Sequence, residues 1–512
     1  MDISVADTVA PRHAVVMGAG FGGIAAALRL RARGYAVTLI DQCPRLGGRA
    51  QVFERDGFRF DAGPTVLTAP FLFDELFALF DKRLEDYVEL IPLAPWYRFR
   101  FADGSELDYG PDDATTEAGI ARLAPDDVAG WRRFGEHARR VYELAFDRLA
   151  DQPFHDPRTL LRQVPAFLRL RAFDSVWDCI GRFVKDDRIR RAFSIQPLLL
   201  GGNPFATTSI YTLINHLERA YGVWFPRGGT GALVDALETL LREEGVVVRL
   251  ETTVARIDVE ERRARGVTLA DGERIPADLV VSNGDPLHVY RELVPRAAAS
   301  APARLRLKHA RLSMGLFVLF FGAHRQWPEV AHHTIDFAER HRELLDDIFE
   351  RKVLADDMSL YLHRPTATDA SFAPPGGDSF YVLCPVPNLE AEGIDWAVEG
   401  PRLAERILDH LERTLLPGLQ AHLGPSFWMT PEDFRRDYAS HAGAGFSLAP
   451  KFTQSAWFRF HNRGEGIDGL YHVGAGTHPG AGMPGVLLSA RVLDRLVPAA
   501  AGADAPRIGT AA

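Results

Sequence analysis

A short apolar run that breaks into spaced glycines and then into a helical pattern constrains this chain more than any other feature. In His13-Ala-Val-Val-Met-Gly-Ala-Gly-Phe-Gly-Gly-Ile-Ala-Ala-Ala-Leu-Arg-Leu30, residues Ala14 to Met17 read as a buried strand. The glycines Gly18, Gly20 and Gly23 follow, and an Ala/Leu-rich helix begins. In such a unit the first glycine permits a tight turn, the second lets backbone approach a pyrophosphate, and the third lets helix and strand pack closely. Phosphate would rest on the helix N-terminus, where unpaired N–H groups and the positive end of the dipole point. A second apolar run, Ala36 to Ile40, ends in Asp41, placed where a carboxylate would hold an adenosine ribose hydroxyl. At this point the ligand is a dinucleotide, either NAD or FAD.

The next stretch narrows that choice. Gly47-Gly48-Arg49 follows the candidate ribose acid; its glycines would bring backbone to the pyrophosphate and Arg49 would add a planar cationic fork. Near the far end of the chain, a strand at Gly469 to Val473 leads into Gly474-Ala-Gly-Thr-His-Pro-Gly-Ala-Gly-Met-Pro-Gly485, and a helical pattern runs from Val486 to Leu496. Five glycines in one strand-to-helix turn imply close approach to a bulky planar or anionic ligand. Two such turns at opposite ends of the sequence, converging on one ligand, require a long one, and FAD has that length.

Between them the pattern alternates. Ala50 to Phe53 and Phe58 to Phe60 form a hairpin around Asp56-Gly57; a helix is predicted from Phe71, and a second hairpin at 96–109 turns at Asp103-Gly104. Residues 113–220 read as helical. A glycine turn at Pro226 to Gly231 opens another helix; Val246 to Leu250, Thr252 to Ile257 and Gly266 to Leu269 read as strands, and Ala277 to Asn283 reads as a buried strand returning to the first domain. Residues 300–440 mix strands and helices. The expected fold is therefore α/β: a Rossmann-type FAD-binding domain built from discontinuous segments (12–70, 222–300 and 440–498), a mixed-sheet substrate domain (71–112 and 301–439) and a helical region at 113–221. Tails at 1–11 and 499–512 are expected to be disordered.

Composition excludes several functions. A chain of 512 residues with 46% hydrophobic and 25% charged residues has ample core, and a net charge of −9 argues against nucleic acid as a partner. Cys43, Cys179 and Cys384 form no CxxC pair, which suits a reducing compartment. His332-His333 lacks ligand spacing, so no metal is expected. The first dozen residues lack a secretory signal pattern, and no apolar run reaches the roughly 18 residues that span a bilayer. A cytoplasmic protein is expected. Residues 158–191, however, carry nine cationic side chains against four aspartates, interleaved with Leu160, Leu161, Phe167, Leu168, Phe173 and Trp177. A basic, aromatic, amphipathic stretch of this kind suits docking on a membrane surface.

These stretches together resemble the bacterial phytoene desaturases, FAD-dependent carotenoid dehydrogenases with an amine-oxidase-like fold. The carrying motifs are Gly18-Ala-Gly-Phe-Gly-Gly23, Gly47-Gly-Arg49, Phe60-Asp-Ala-Gly-Pro-Thr65, Gly201-Gly-Asn-Pro-Phe-Ala206, Trp224-Phe-Pro-Arg-Gly-Gly-Thr-Gly231, Ser359-Leu-Tyr-Leu-His363, Gln454-Ser-Ala-Trp-Phe458 and the Val473 to Gly485 turn. The resemblance implies that Gly18, Gly20 and Gly23 hold the FAD pyrophosphate, Asp41 the ribose, and Gly47, Gly48 and Arg49 phosphate. It further implies that backbone at Val254 meets adenine, and that Gly476, Thr477, Met483 and Val486 lie along the ribityl chain and isoalloxazine. The implied substrate is an apolar polyene such as phytoene, desaturated toward neurosporene or lycopene, with oxygen or a quinone reoxidising the flavin. Peripheral association with the inner membrane follows, since such a substrate resides in the bilayer. The catalytic residues are unknown from the sequence. A later carotenoid dehydrogenase, a carotene isomerase and a non-catalytic prenyl-lipid carrier remain as alternatives.

Overall fold

The computed structural model describes residues 12–500. Its first layer is a five-stranded parallel sheet, ordered Val247–Arg249, Ala36–Ile40, His13–Met17, Leu279–Ser282 and Leu470–His472. Parallel strands are covered on both faces and so read as continuous apolar runs. Ala14, Val15 and Val16 have no exposed surface. On one face pack Phe21–Ala32, buried at ten of its twelve positions, Gly229–Glu243 and Met483–Arg491. The other face is covered by the antiparallel ribbon Val254–Glu260, Arg263–Leu269 and Arg274–Pro276. Stretches far apart in sequence thus build one nucleotide-binding sheet.

The second layer is a seven-stranded mixed sheet, ordered Leu423–Met429, Gly315–Ala323, Asp378–Val386, Leu360–His363, His333–Asp336, Tyr97–Arg100 and Glu106–Tyr109. Only the pairing of His333–Asp336 with Tyr97–Arg100 is parallel. The amphipathic helix Trp396–Thr414 covers one face, through Leu403, Ile407 and Leu411. The sheet's other face looks toward the helices of 113–221, among them Val128–Ala145, Val176–Gly181 and Asp187–Phe193. Among the described residues no helix is long and apolar enough to cross a membrane.

Two boundaries differ from expectation. The helix Phe71–Ala78 buries Leu72, Phe73, Leu76 and Phe77 in the apolar cluster of the nucleotide-binding layer, and its Glu75 pairs with Arg29 at 2.8 Å. It therefore belongs to the first layer, and the border at residue 70 falls a helix too early: a local helical pattern does not say which core its apolar face meets. Likewise Val223–Pro226 pairs with Leu67–Thr68 and Leu90–Pro92, a ribbon that crosses the assigned border. Ala500, inside the tail expected from 499, is buried and donates its N–H to the Arg33 carbonyl at 3.0 Å. The rest of both tails lies outside the described residues.

Candidate functional site

Gly18 adopts φ +90°, and its N–H donates to the Ile40 carbonyl at 2.8 Å, closing the turn onto the neighbouring strand. A Cβ on Gly23 would stand 1.8 Å from the Gly18 carbonyl oxygen, so only glycine lets the helix start this close to the strand. Gly47 reaches across to the same turn: its N–H donates to the Ala19 carbonyl at 2.8 Å and it bridges to Gly20. A Cβ on Gly48, itself at φ +58°, would lie 3.1 Å from the Gly20 Cα. Asp41 ties the assembly together, with one carboxylate oxygen accepting from Ala19 N at 2.6 Å and the other from Cys43 N at 2.8 Å.

These elements line one end of a single cavity of about 1000 Å³. Gly18, Gly20, Asp41, Gly47, Gly48, Arg49 and Val254 form that end, and Gly476, Met483 and Val486 line its continuation. Arg49 is half-buried; one Nη donates to Ser440 Oγ at 3.2 Å, its Nε has no partner, and it makes no ion pair among the described residues. Burial lowers its pKa, and the field of Asp285 works the other way. An uncompensated guanidinium beside two closely apposed glycine turns fits a diphosphate. Gly23 is outside the lining and contributes through packing.

The second glycine turn repeats the device of the first. A Cβ on Gly485 would lie 2.5 Å from the Gly480 carbonyl oxygen, and one on Gly476 would lie 2.2 Å from Pro286 Cδ. Gly474 N donates to Ser489 Oγ at 2.7 Å, which holds the turn against the helix Met483–Arg491. Thr477 corrects the expectation. Its side chain is fully buried, Oγ1 donates to the Gly474 carbonyl at 3.2 Å, and it does not line the cavity. Asn462 draws it inward, donating from Nδ2 to Thr477 Oγ1 at 3.5 Å and to the His478 carbonyl at 2.9 Å. No local pattern announces a partner fifteen residues upstream.

Sequence reasoning also missed Asn283, which follows the buried strand Leu279–Ser282 and lines the cavity. Its amide fills the space left by three glycines: Cβ atoms on Gly20, Gly22 and Gly474 would lie 3.0, 2.5 and 2.5 Å from it. A polar residue at the carboxyl end of a parallel strand was the available signal. Asp61 and the 224–231 motif are one contact, since the Asp61 carboxylate accepts from Thr230 N at 2.9 Å and Gly231 N at 3.4 Å. Burial pushes the Asp61 carboxyl up to about 6 despite these bonds.

Register unites His332 and His333 with His363, whose strand pairs His333 directly. Their ring nitrogens lie within 4.8 Å of one another. His332 Nδ1 meets Thr368 Oγ1 at 2.7 Å and His333 Nδ1 meets the Tyr361 hydroxyl at 2.8 Å, while His363 has no partner on either nitrogen. Burial drives all three pKa values far down, so the rings are neutral. The Arg364 cation, itself paired with Asp378 at 3.0 Å, lowers His332 further.

The polar end therefore offers a dinucleotide cradle, and the remainder is an apolar chamber walled by Phe167, Leu198, Ile210, Leu217 and Leu383. The family of flavin containing amine oxidoreductases matches residues 21–492. The chain belongs to that family. It carries a flavin, and within the family it groups with the bacterial phytoene desaturases. A lycopene-forming phytoene desaturase of Pseudescherichia vulneris is 47% identical over 486 residues, covering 95% of this chain and 99% of the relative. A neurosporene-forming one of Rhodobacter capsulatus is 43% identical over 505 residues, covering 98% and 95%. Among solved structures, an oxidoreductase from Methanosarcina mazei superposes with a TM-score of 0.63 at 17% identity, covering 94% of this chain and all of the other, which speaks to the fold alone.

Proposed function

We propose that this protein is a phytoene desaturase of carotenoid biosynthesis, acting in successive steps toward neurosporene or lycopene. The observation that carries the reading is one continuous cavity with a glycine-lined polar end and a large apolar end, in a chain related along nearly its whole length to phytoene desaturases. Bound flavin supplies a two-electron acceptor that no side chain can provide. The residues do the remainder. Gly20, Gly48 and Asn283 shape the diphosphate cradle, Arg49 neutralises it, and Asp41 holds the ribose. Met483 and Val486, which line the continuation of the cavity, would meet the reacting end of the cofactor, and the apolar chamber excludes water and aligns an uncharged polyene by shape.

Docking on the cytoplasmic face of the inner membrane belongs to the same reading, with oxygen or a quinone as the terminal acceptor. On the helix Pro157–Leu170 and just beyond it, Leu161, Leu168 and Phe173 are 65%, 59% and 50% exposed, beside exposed Arg158, Arg162, Arg169 and Arg171. Phe167 of the same helix is buried and lines the cavity. A lipid surface on this helix would lie next to the apolar chamber. The whole reading is tested by expressing the protein in a host that accumulates phytoene and identifying the extracted pigments. Neurosporene or lycopene is expected; unchanged phytoene beside flavin-loaded protein would overturn it.

A further inference from the structure

Forming each double bond removes two hydrogens from adjacent carbons. One leaves with its electron pair to the oxidised flavin; the other leaves as a proton and needs an acceptor inside an apolar chamber. The carboxylates at the nucleotide end of the cavity, Asp41 and Asp285, are already committed to backbone and hydroxyl donors. Apart from these and the peripheral Glu292 and Asp437, one carboxylate lines the cavity, and it belongs to the apolar part: Glu218, on the helix Leu213–Tyr221. It is almost devoid of exposed surface. Its neighbours Leu213, Ile214 and Leu217 line the same wall, and the helix packs on the strand Leu67–Thr68, next to the Ala62 to Val66 segment that also lines the cavity.

We infer that Glu218 is the proton acceptor of the desaturation, with Tyr97 as its positioning residue. This rests on the reading of the protein as a desaturase. In each step a substrate C–H bond breaks, its electron pair becomes the new carbon–carbon π bond, and the proton passes to the Glu218 carboxylate. The hydride lost from the neighbouring carbon reduces the flavin, and Glu218 gives up its proton before the next cycle.

The surroundings suit a carboxylate that must hold and release a proton. The Tyr97 hydroxyl donates to Glu218 Oε1 at 2.9 Å, and Gln196 Nε2 donates to Oε2 at 3.4 Å. Gln196 Oε1 is buried without a partner, so turning that amide presents an acceptor to a protonated Glu218. The other group facing it is Tyr109, whose hydroxyl donates to the Asn215 carbonyl, with Tyr361 beyond Tyr97. No Lys, Arg or His pairs with Glu218 among the described residues, and the adjacent Arg219 turns outward to Asp113. Burial lifts the carboxyl to about 7 against the pull of Tyr97 and Gln196, where a general base is most effective. Of the histidines that line the cavity, His288 and His441 stand beside Asp285 at the nucleotide end, and His478 Nδ1 belongs to a ring held down to about 4 by burial and by Arg459, which makes it a poor acceptor.

The test uses flavin-loaded enzyme with phytoene in liposomes, comparing wild type, Glu218→Gln, Glu218→Asp and Tyr97→Phe. Wild-type turnover should rise with pH through about 7, as the base deprotonates. Glu218→Gln should keep its flavin and lose at least about a hundredfold in turnover. It should also melt higher than wild type at pH 8, because an unpaired buried carboxylate is gone. Tyr97→Phe removes a bond to the charged form and should move the acid limb to higher pH. Glu218→Asp should retain a small, pH-dependent activity. Turnover of Glu218→Gln within about threefold of wild type, or a Tyr97→Phe profile superimposable on wild type, overturns the assignment. Should Glu218→Gln fail to hold flavin, the Tyr97→Phe and Glu218→Asp profiles decide it. A wild type that converts no phytoene defeats the desaturase reading itself, and this inference with it.

Discussion

Gly23→Ala is the substitution whose effect follows most directly from backbone geometry. The added methyl would sit 1.8 Å from the Gly18 carbonyl oxygen, roughly 1.6 Å inside ordinary van der Waals contact. Both clashing partners are backbone, so no rotamer relieves the overlap. The start of the helix Phe21–Ala32 must swing away from the strand His13–Met17. That movement carries Gly20 away from Gly48 and opens the cradle that flavin diphosphate requires. Overpacking of a tight core costs about 1–3 kcal/mol, and a backbone-to-backbone clash belongs at the upper end. If the cofactor-competent geometry bears about 3 kcal/mol, affinity falls roughly a hundredfold. Equilibrium dialysis of apoprotein against FAD reads this directly. Gly104→Ala is the control: Gly104 has φ +81° but nothing within 4 Å of its Cβ, so it should cost about 1 kcal/mol of stability and leave FAD affinity alone. A Gly23→Ala protein with wild-type FAD affinity would show that the turn is not built by that contact.

Three further outcomes separate the roles of individual side chains. Arg49→Met should weaken FAD about 10- to 100-fold, the worth of charge-assisted bonds of about 1.5–3 kcal/mol, while apoprotein melts no lower because its buried guanidinium lacks an ionic partner; calorimetric titration and a melting curve check both. Thr477→Val should change FAD affinity by less than about threefold and cost only about 1 kcal/mol of stability, the worth of a lost hydrogen bond, and a large loss of FAD would restore its expected place along the ribityl chain. Replacing Leu161, Leu168 and Phe173 by serine should reduce co-sedimentation with anionic liposomes at unchanged flavin content, and unaltered sedimentation would place docking elsewhere.

The sequence made some of this legible because the relevant pattern is local. Strand, glycine turn and helix lie within eighteen residues from His13 to Leu30, and the spacing carries its own steric reason. The strands of the parallel sheet were readable as apolar runs, but their order was not. What stayed hidden depends on contacts between remote segments. Asn283 looks like the last residue of a buried strand until the three glycines around it are in place. His363 meets His333 only through strand register. Glu218 reads as a solvated helical acid in Leu217-Glu-Arg-Ala220, and only Tyr97, Gln196 and the wall of the cavity bury it. Thr477 lies in a turn whose glycines face the ligand, yet Asn462 turns its side chain the other way.

The claim that this chain uses its flavin to desaturate phytoene is tested most directly in a single anaerobic turnover. Flavin-loaded protein is mixed with phytoene in liposomes, and flavin absorbance and polyene products are followed together. Bleaching of the flavin in step with the appearance of newly conjugated double bonds is the expected result. An oxidised flavin band that persists while phytoene is recovered unchanged would contradict it.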